Sequence, residues 1–258
     1  MTEGKALFTA DHISRTFGSG RNLVTAVDHV SFELTEKEIT TIVGESGSGK
    51  STVARMVLGL LPVSAGRLTF DGQDVTKLST TARIAYWRDV QAVFQDPFSS
   101  FNQFFTVRRL LNRSLRMLDR VSAKERLEEA LGHVGMDLDV LDRFPHQLSG
   151  GQRQRIMIAR ALMLRPRLLI ADEATSMLDA SLRVNILNVL TDLRDQLGMT
   201  VLFITHDIGQ ACYLADKVLV MEKGVMVEQG PTDDVIFNPQ HEYTQRLLAD
   251  VPRLHESA

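Results

Sequence analysis

Short apolar runs recur along the chain and predict buried β-strands. The first, ITTIVG (39–44), consists of apolar and threonine positions and ends in glycine. The same pattern recurs in VQAVF (90–94), RLLIAD (167–172), TVLFIT (200–205) and KVLVME (217–222). Helical spacing separates several of these runs, and buried strands alternating with helices indicate a mainly parallel α/β sheet.

Two dipeptides predict hairpins beside that sheet. Asp71-Gly72 stands between extended flanks in LTFDGQDV (68–75), which is typical of a two-residue β-turn. Lys223-Gly224 separates KVLVME from VMVE in the same way. The sequence therefore predicts antiparallel strands near both ends of the strand-rich part.

Helical spacing occupies the middle of the chain, from Phe104 to Leu164. Ser122 and Glu125 have the spacing of a capping box, which predicts a helix start at Ser122. A second helix is predicted at about 180–197 and ends at Gly198 as a C-cap. Its apolar face comprises Leu182, Ile186, Val189, Leu190, Leu193 and Leu197.

Composition narrows the class of protein. The 258 residues are 44% hydrophobic and 24% charged, as in folded globular proteins, and the net charge of −3 excludes a general basic field for nucleic acid. Since no run approaches the roughly 18 apolar residues of a membrane span and the N-terminus lacks an apolar signal core, we expect a cytoplasmic protein. Cys212 is the single cysteine, which excludes an internal disulfide and a four-cysteine metal site.

A glycine-rich loop, GESGSGKS (44–51), stands between a predicted strand and the helix-like STVARMVLGLL. Its glycines let the backbone curl so that N–H groups point at phosphate oxygens, assisted by the dipole of the following helix. Lys50 would reach the β- and γ-phosphates, and the Ser51 hydroxyl would ligate Mg²⁺. The loop predicts a nucleoside triphosphate site, a property that kinases, GTPases and helicases share.

Two consecutive carboxylates follow a later strand, in RLLIADE (167–173). Asp172 lies at the carboxyl end of that strand, where a carboxylate can hold Mg²⁺, usually through water. Glu173 is placed to orient and polarise an attacking water. In isolation the two could be a surface acid pair, but the upstream loop favours a hydrolytic site.

The segment LSGGQRQRIMIARAL (148–162) predicts a second anion site. Ser149, Gly150 and Gly151 open a helix whose positively polarised N-terminus would be exposed. A single ATP cannot easily sit on both loops of one chain. The economical interpretation is that this second loop caps an ATP held by another subunit.

Two further motifs follow, SMLD (176–179) and THD (205–207). All of these motifs stand in the order found in the nucleotide-binding domains of ABC transporters. The chain resembles those domains over essentially its whole length. The resemblance implies the α/β fold of a P-loop NTPase, with a RecA-like core, an antiparallel β subdomain and an inserted helical subdomain. It implies a single ABC ATPase domain over 1–258, with its nucleotide-binding core at 1–95 and 165–230, its helical signature subdomain at 96–164 and a C-terminal tail at 231–258.

The resemblance also assigns catalytic and metal-binding roles. Glu173 would polarise water, His206 would contact the γ-phosphate, and Gln95 would touch Mg²⁺ and the attacking water. Ser51, Gln95 and Asp172 would hold the Mg²⁺. Phe17 would stack on adenine, although a packing role stays open. The residues implied to contact ATP, within one chain or across a dimer, are Phe17, Gly44, Glu45, Ser46, Gly47, Ser48, Gly49, Lys50, Ser51, Thr52, Ser149, Gly150, Gly151, Gln152 and Asp179.

An aromatic segment, FQDPFSSFNQFF (94–105), holds five of the chain's 12 phenylalanines. Such a cluster could belong to the core, or it could receive a helix of a membrane subunit. By resemblance, we expect docking near Gln95–Phe105, with Phe98, Phe101, Phe104 and Phe105 at the interface. The implied partners are a second ATPase subunit, identical or not, two permease subunits and an extracytoplasmic solute-binding protein, with the chain on the cytoplasmic face of the inner (cell) membrane.

The segments QDPFSSFN, FPHQLSGGQRQR and NPQHEYTQRLLADVP resemble ATPases of the peptide and nickel importer branch. The implied function is ATP hydrolysis coupled to solute uptake, with an oligopeptide or dipeptide as the first expectation and an oligosaccharide or metal as alternatives. Ala174 replaces a common proline, Met177 an alanine, and a terminal cysteine cluster is missing. These departures remove no catalytic group.

Three other functions are weighed against this one. A soluble ABC ATPase of repair, translation or cluster assembly would usually carry two such domains, a long coiled coil or a dedicated arm, and none is visible here. An exporter ATPase is disfavoured by the importer-like tail. A P-loop kinase would have no use for LSGGQ.

Overall fold

The structure, a computed structural model, describes residues 4–95, 102–115 and 120–249. The chain forms two compact units. The first comprises Met1–Arg83 and Thr200–Ala258, and the second comprises Ile84–Met199. The predicted helical subdomain, 96–164, falls within the sequence limits of the second unit.

The described residues form a mixture of strands and helices. The strands are β1 (Ala6–Phe17), β2 (Val24–Thr35), β3 (Ile39–Val43), β4 (Ala65–Phe70), β5 (Gln73–Asp74), β6 (Val90–Phe94), β7 (Leu168–Asp172), β8 (Thr200–Thr205), β9 (Lys217–Glu222) and β10 (Val225–Pro231). The α-helices are α1 (Lys50–Val57), α2 (Thr80–Asp89), α3 (Val107–Leu115), α4 (Arg120–His133), α5 (Gly150–Leu162), α6 (Ala180–Leu197), α7 (Ile208–Leu214), α8 (Thr232–Phe237) and α9 (Glu242–Ala249).

The first unit contains an antiparallel sheet, in the order β2-β1-β4-β5, and a set of strands centred on β3. Strands β8 and β9 both pair with β3 in parallel, and β10 adds to β9 in antiparallel fashion. All residues of β3 and β8 are buried, as their apolar runs predict. Both predicted hairpins are confirmed, with positive φ at Asp71-Gly72 and at Lys223-Gly224.

The second unit contains the parallel pair β6 and β7, packed with helices. The register pairs Val90 with Leu168 at one end and Phe94 with Asp172 at the other. Helix α5 packs on β6, α4 and α6, and its buried side chains include Ile156, Met157 and Ile158. This packing places the residues that follow β6 and β7 at one edge of the pair.

Two predicted details of the helices are wrong. Helix α4 is already formed at Arg120, so residue 122 lies inside the helix and is not its N-cap. On α6 the predicted face is largely buried, but Leu197 is exposed in the last turn and Leu187 is buried instead. The predicted C-cap is confirmed, because Gly198 has a left-handed φ of 61° and its N–H donates to the carbonyl of Arg194.

Within the ranges that the structure describes, no helix combines the length and the apolar character needed to cross a membrane.

Candidate functional site

The glycine-rich loop links β3 to α1 in the first unit. Val43, the last residue of β3, pairs with Thr205 at the end of β8. Because these strands are parallel, Gly44 and His206 leave the sheet at the same edge. The topology therefore brings the loop and the predicted catalytic histidine to one end of the sheet, although their sequence positions are far apart.

The loop follows a path that side chains at two of its glycines would block. A Cβ at Gly44 would lie 2.1 Å from the carbonyl oxygen of Met221. Gly49, the N-cap of α1, has a φ of 104°, and a Cβ there would lie 2.4 Å from the carbonyl oxygen of Ala26. The neighbouring backbone thus requires glycine at both positions, and the loop closes directly onto the N-terminus of α1.

Lys50 is buried within this loop, with only 4% of its surface exposed. Its ammonium group donates hydrogen bonds to the carbonyl oxygens of Gly44 and Glu45, each at 2.7 Å, and to Ser48 Oγ at 3.4 Å. A buried cation is retained only where oxygens surround it. The loop is therefore formed around a positive charge, at a helix end that also favours anions.

His206 is exposed directly after β8, and the next residue is the N-cap of helix α7. Asp207 caps α7, since its Oδ1 accepts the N–H of Gly209 at 2.9 Å and its Oδ2 accepts Nε2 of Gln210 at 3.0 Å. The motifs assign Asp207 no separate role, although an aspartate before a helical segment is itself an N-cap signal. The cap fixes the direction in which the chain leaves His206.

Phe17 is the last residue of β1 and stays partly exposed. The guanidinium carbon of Arg15 lies 4.7 Å from the centre of its ring. The ring is thus an accessible aromatic surface whose orientation a cation–π contact supports.

The second unit brings together Gln95, Asp172 and Glu173. Phe94 pairs with Asp172 across the two parallel strands, so Gln95 and Glu173 follow at the same edge. Asp172 is buried and Gln95 is exposed. Glu173 has a left-handed φ of 50°, which a residue with a side chain rarely adopts, and its carbonyl accepts the N–H of Ser176 at 3.1 Å. Backbone strain of this kind is concentrated at functional positions.

The segment LSGGQ forms the N-terminus of α5, as predicted. Ser149 Oγ accepts the Gln152 N–H at 3.2 Å, and Gln152 Oε1 accepts the Ser149 N–H at 3.0 Å, which is a complete capping box. Gly151 is buried, and a Cβ there would lie 3.1 Å from a methyl group of Leu182 on α6. Asp179 caps α6 by accepting the Leu182 N–H at 3.2 Å.

Of the predicted aromatic segment (94–105), the structure describes residues 94–95 and 102–105, and Phe98 and Phe101 lie outside the described residues. Phe104 has 87% of its surface exposed. The ring of Phe105 is partly buried beneath Arg109, whose guanidinium carbon lies 3.7 Å from the ring centre. At least one phenylalanine is therefore outside the core.

One contact of the loop has no counterpart in the sequence analysis. The backbone N–H of Glu45 donates to the hydroxyl oxygen of Tyr243 on α9, at 2.9 Å. The two residues are 198 positions apart, and no local pattern links them. Only the tertiary structure could reveal this partner.

Sequence comparisons with a family profile and with single proteins agree with one another. The profile of the family described as "ABC transporter" matches residues 27–176. The chain is 41% identical to the oligopeptide transport ATP-binding protein OppF of Streptococcus mutans, over 98% of this chain and 84% of that protein. It is 43% identical to the peptidoglycan transport ATP-binding protein YejF of Agrobacterium fabrum over 98% of this chain, which spans 48% of that longer protein.

Solved structures with the same fold are also ATP-binding cassettes. One is cbiO1 from Clostridium perfringens, part of the ABC transporter complex cbiONQ, with a TM-score of 0.82, 28% identity and 96% of each chain covered. Another is the dimeric ATP-binding cassette MJ0796 in a post-hydrolysis state bound to ADP and Pi. It has a TM-score of 0.77 and 26% identity, covering 87% of this chain and 98% of that one.

Proposed function

This chain belongs to the ABC transporter family, and from that membership we propose that it is the ATP-hydrolysing subunit of an importer for peptides or oligopeptides. The observation that carries the proposal is the phosphate loop built around the buried Lys50 ammonium at the N-terminus of α1. The relative named for oligopeptide transport supports the solute class.

The loop binds the phosphates of ATP. Lys50 exchanges carbonyl oxygens of its own loop for phosphate oxygens, and the backbone N–H groups of Gly47 to Thr52 complete the cradle. Phe17 stacks on the adenine, and His206 contacts the γ-phosphate. Glu173 orients the attacking water and accepts its proton.

Oxygen donors suited to Mg²⁺ are present among the implied ligands. Ser51 offers a hydroxyl, Gln95 an amide oxygen and Asp172 a carboxylate, which are hard ligands of the kind that Mg²⁺ prefers. When bound, Mg²⁺ neutralises charge that develops on the phosphate oxygens. Among the described residues, no group of three or more His, Cys, Asp or Glu side chains is arranged so that it could hold a metal ion.

Two ATPase subunits share each ATP. The capped N-terminus of α5, with Ser149, Gly150, Gly151 and Gln152, binds the γ-phosphate held by the opposite subunit, and Asp179 lies in the loop that crosses the dimer interface. Binding of ATP thereby favours the closed dimer, and hydrolysis removes the γ-phosphate and lets it open. The γ-phosphate acts as a ligand that distinguishes the two states.

The dimer drives two permease subunits that receive solute from an extracytoplasmic binding protein. The chain lies peripherally on the cytoplasmic face of the inner (cell) membrane because the permeases hold it there. The exposure of Phe104 supports docking of the permeases within the segment from Gln95 to Phe105. The solute that stimulates ATP hydrolysis in the isolated complex identifies the cargo.

The catalytic assignment is tested by Glu173→Gln in the complex with its partner subunits. We expect phosphate release to fall by roughly 100-fold or more, while ATP still binds and traps a closed dimer, because only the base is lost. Phosphate release and light scattering measure the two effects. Glu128→Gln, on the surface of α4, is the matched control and should behave as the wild type. Near-normal hydrolysis in Glu173→Gln would show that another group activates the water.

A further inference from the structure

Helices α8 and α9 contribute side chains to an apolar cluster that also includes Val43 of β3, the strand that precedes the phosphate loop. Tyr243 of α9 is only 3% exposed and belongs to an apolar cluster with residues of β3, α7, β9 and α8. The buried members of that cluster are Val43, Ile208, Ala211, Val218, Val220, Val235 and Tyr243. Val43 immediately precedes the loop, so the tyrosine ring is anchored beside the point where the loop begins.

The tyrosine hydroxyl is directed at the loop. Its oxygen accepts the Glu45 N–H at 2.9 Å, while the Gly44 carbonyl of the same peptide group accepts a bond from Lys50 Nζ at 2.7 Å. One peptide group is therefore held at its N–H by the tail and at its C=O by the phosphate-binding lysine. Rotation of that peptide group would break both bonds.

The start of α9 is fixed by its own contacts. The carboxylate of Glu228 on β10 accepts the N–H of Gln240 at 2.7 Å and the N–H of His241 at 3.1 Å. Burial alone would raise the pKa of Glu228, but these bonds lower it, so the carboxylate is ionised at neutral pH. The ring nitrogen Nδ1 of His241 then accepts the Tyr243 N–H at 3.2 Å. The position of the tyrosine is thus set by β10 as well as by the apolar cluster.

We propose that Tyr243 is a positioning residue of the phosphate-binding loop, which holds the Gly44–Glu45 peptide group so that the loop carbonyls keep the Lys50 ammonium in place for ATP. The inference rests on the proposed function, because it takes ATP as the ligand of the loop. Tyr243 acts through the loop backbone and does not itself touch ATP. Burial raises the pKa of the Tyr243 hydroxyl, which therefore stays protonated at neutral pH.

The test removes only the hydroxyl group, with Tyr243→Phe in the full chain with its partner subunits. We expect the KM for ATP and the Kd for a fluorescent ATP analogue to rise about three- to tenfold, because one hydrogen bond to the loop is lost. We expect kcat to stay within about twofold, since the catalytic groups are intact. Tyr213→Phe on α7, where the tyrosine is exposed, is the matched control and should leave both constants unchanged.

A second measurement follows the loop itself, by hydrogen exchange of single backbone amides. In the nucleotide-free wild type, the Glu45 N–H should exchange more slowly than an unbonded amide, and in Tyr243→Phe at least about tenfold faster than in the wild type. An unprotected Glu45 amide in the wild type would overturn the proposal without any variant. Faster exchange with an unchanged affinity for ATP, or lower thermal stability alone, would overturn it as well.

The two proposals fail in different ways. Lys50→Ala should abolish binding of the ATP analogue, and if it does not, the proposed nucleotide site is wrong whatever Tyr243 does. The exchange rate of the Glu45 amide depends on the Tyr243 bond even in the absence of nucleotide. If the Glu45 amide is protected but Lys50→Ala still binds the ATP analogue, the contact between Tyr243 and Glu45 exists and the proposed ligand is wrong.

Discussion

At the residue scale, Gly49 is constrained by its backbone conformation and by its neighbours. Its φ is 104°, and a Cβ would lie 2.4 Å from the Ala26 carbonyl oxygen. We expect Gly49→Ala to lower the free energy of unfolding by more than the roughly 1–3 kcal/mol of backbone strain alone, because the clash adds to the strain. We also expect it to abolish ATP binding, since the cradle must open. Urea denaturation and nucleotide titration measure the two effects.

Gly72 provides the control for backbone strain without a clash. It has a φ of 76° in the β4–β5 turn, and a Cβ there would meet no atom within 4 Å. We expect Gly72→Ala to show only the strain and to bind ATP normally. Equal losses of stability in the two variants would mean that the loop relaxes around the new methyl group.

At this scale the sequence predicts the glycine-rich loop before α1 well, because glycine spacing and the charge of Lys50 are local signals. It does not predict which neighbouring groups leave no room for a side chain at the glycines. The oxygen nearest a Cβ at Gly44, for example, belongs to Met221 on another strand. The sequence does not predict the left-handed backbone conformation of Glu173 either, because glutamate has no preference for that conformation.

At the element scale, Ser149 has one observed role and one proposed role, and a pair of substitutions can separate them. In the structure it caps α5, and in the proposed dimer it also contacts a γ-phosphate. We expect Ser149→Ala to cost about 1 kcal/mol of stability through loss of the cap. We expect Ser149→Asp to retain the cap, because aspartate caps as well as serine. In a Glu173→Gln background, however, its charge should prevent ATP-driven dimer formation by repelling the phosphate.

Denaturation and light scattering in the presence of ATP check the two roles of Ser149 separately. A Ser149→Asp variant that dimerises with ATP as readily as the parent would mean that no phosphate approaches this helix end. A Ser149→Ala variant with unchanged stability would mean that other groups satisfy the N-terminal N–H groups of α5.

Helix boundaries show where local signals suffice. The start of α5 is predicted because serine and glycine interrupt the apolar pattern just where the cap forms. The start of α4 is not predicted correctly, because Ser122 and Glu125 fit a capping box equally well whether or not the chain is already helical before them. On α6 the buried stripe is wide enough to include both Ile186 and Leu187, whereas Leu197 lies in the last turn and is exposed.

At the scale of the whole molecule, the sequence predicts the strands but not which strands pair with each other. Burial of β3 follows from its five apolar and threonine residues. Its pairing with β8 and β9 joins segments more than half the chain apart, and no periodicity encodes that choice. The meeting of Gly44 and His206 at one edge of the sheet is a consequence of this pairing, so the motifs indicate it only through the family resemblance.

The proposed contact with the membrane subunits is tested by comparing two exposed phenylalanines. Phe104 lies in the proposed docking segment and is 87% exposed, and Phe237 lies on α8 and is 82% exposed. We expect Phe104→Ala to reduce co-purification with the permeases and the solute-stimulated ATPase rate by roughly tenfold or more, as for an aromatic anchor at an interface. Phe237→Ala should affect neither, and both variants should hydrolyse ATP at the basal rate. If the two substitutions weaken the complex equally, or neither does, the permeases dock elsewhere on the chain.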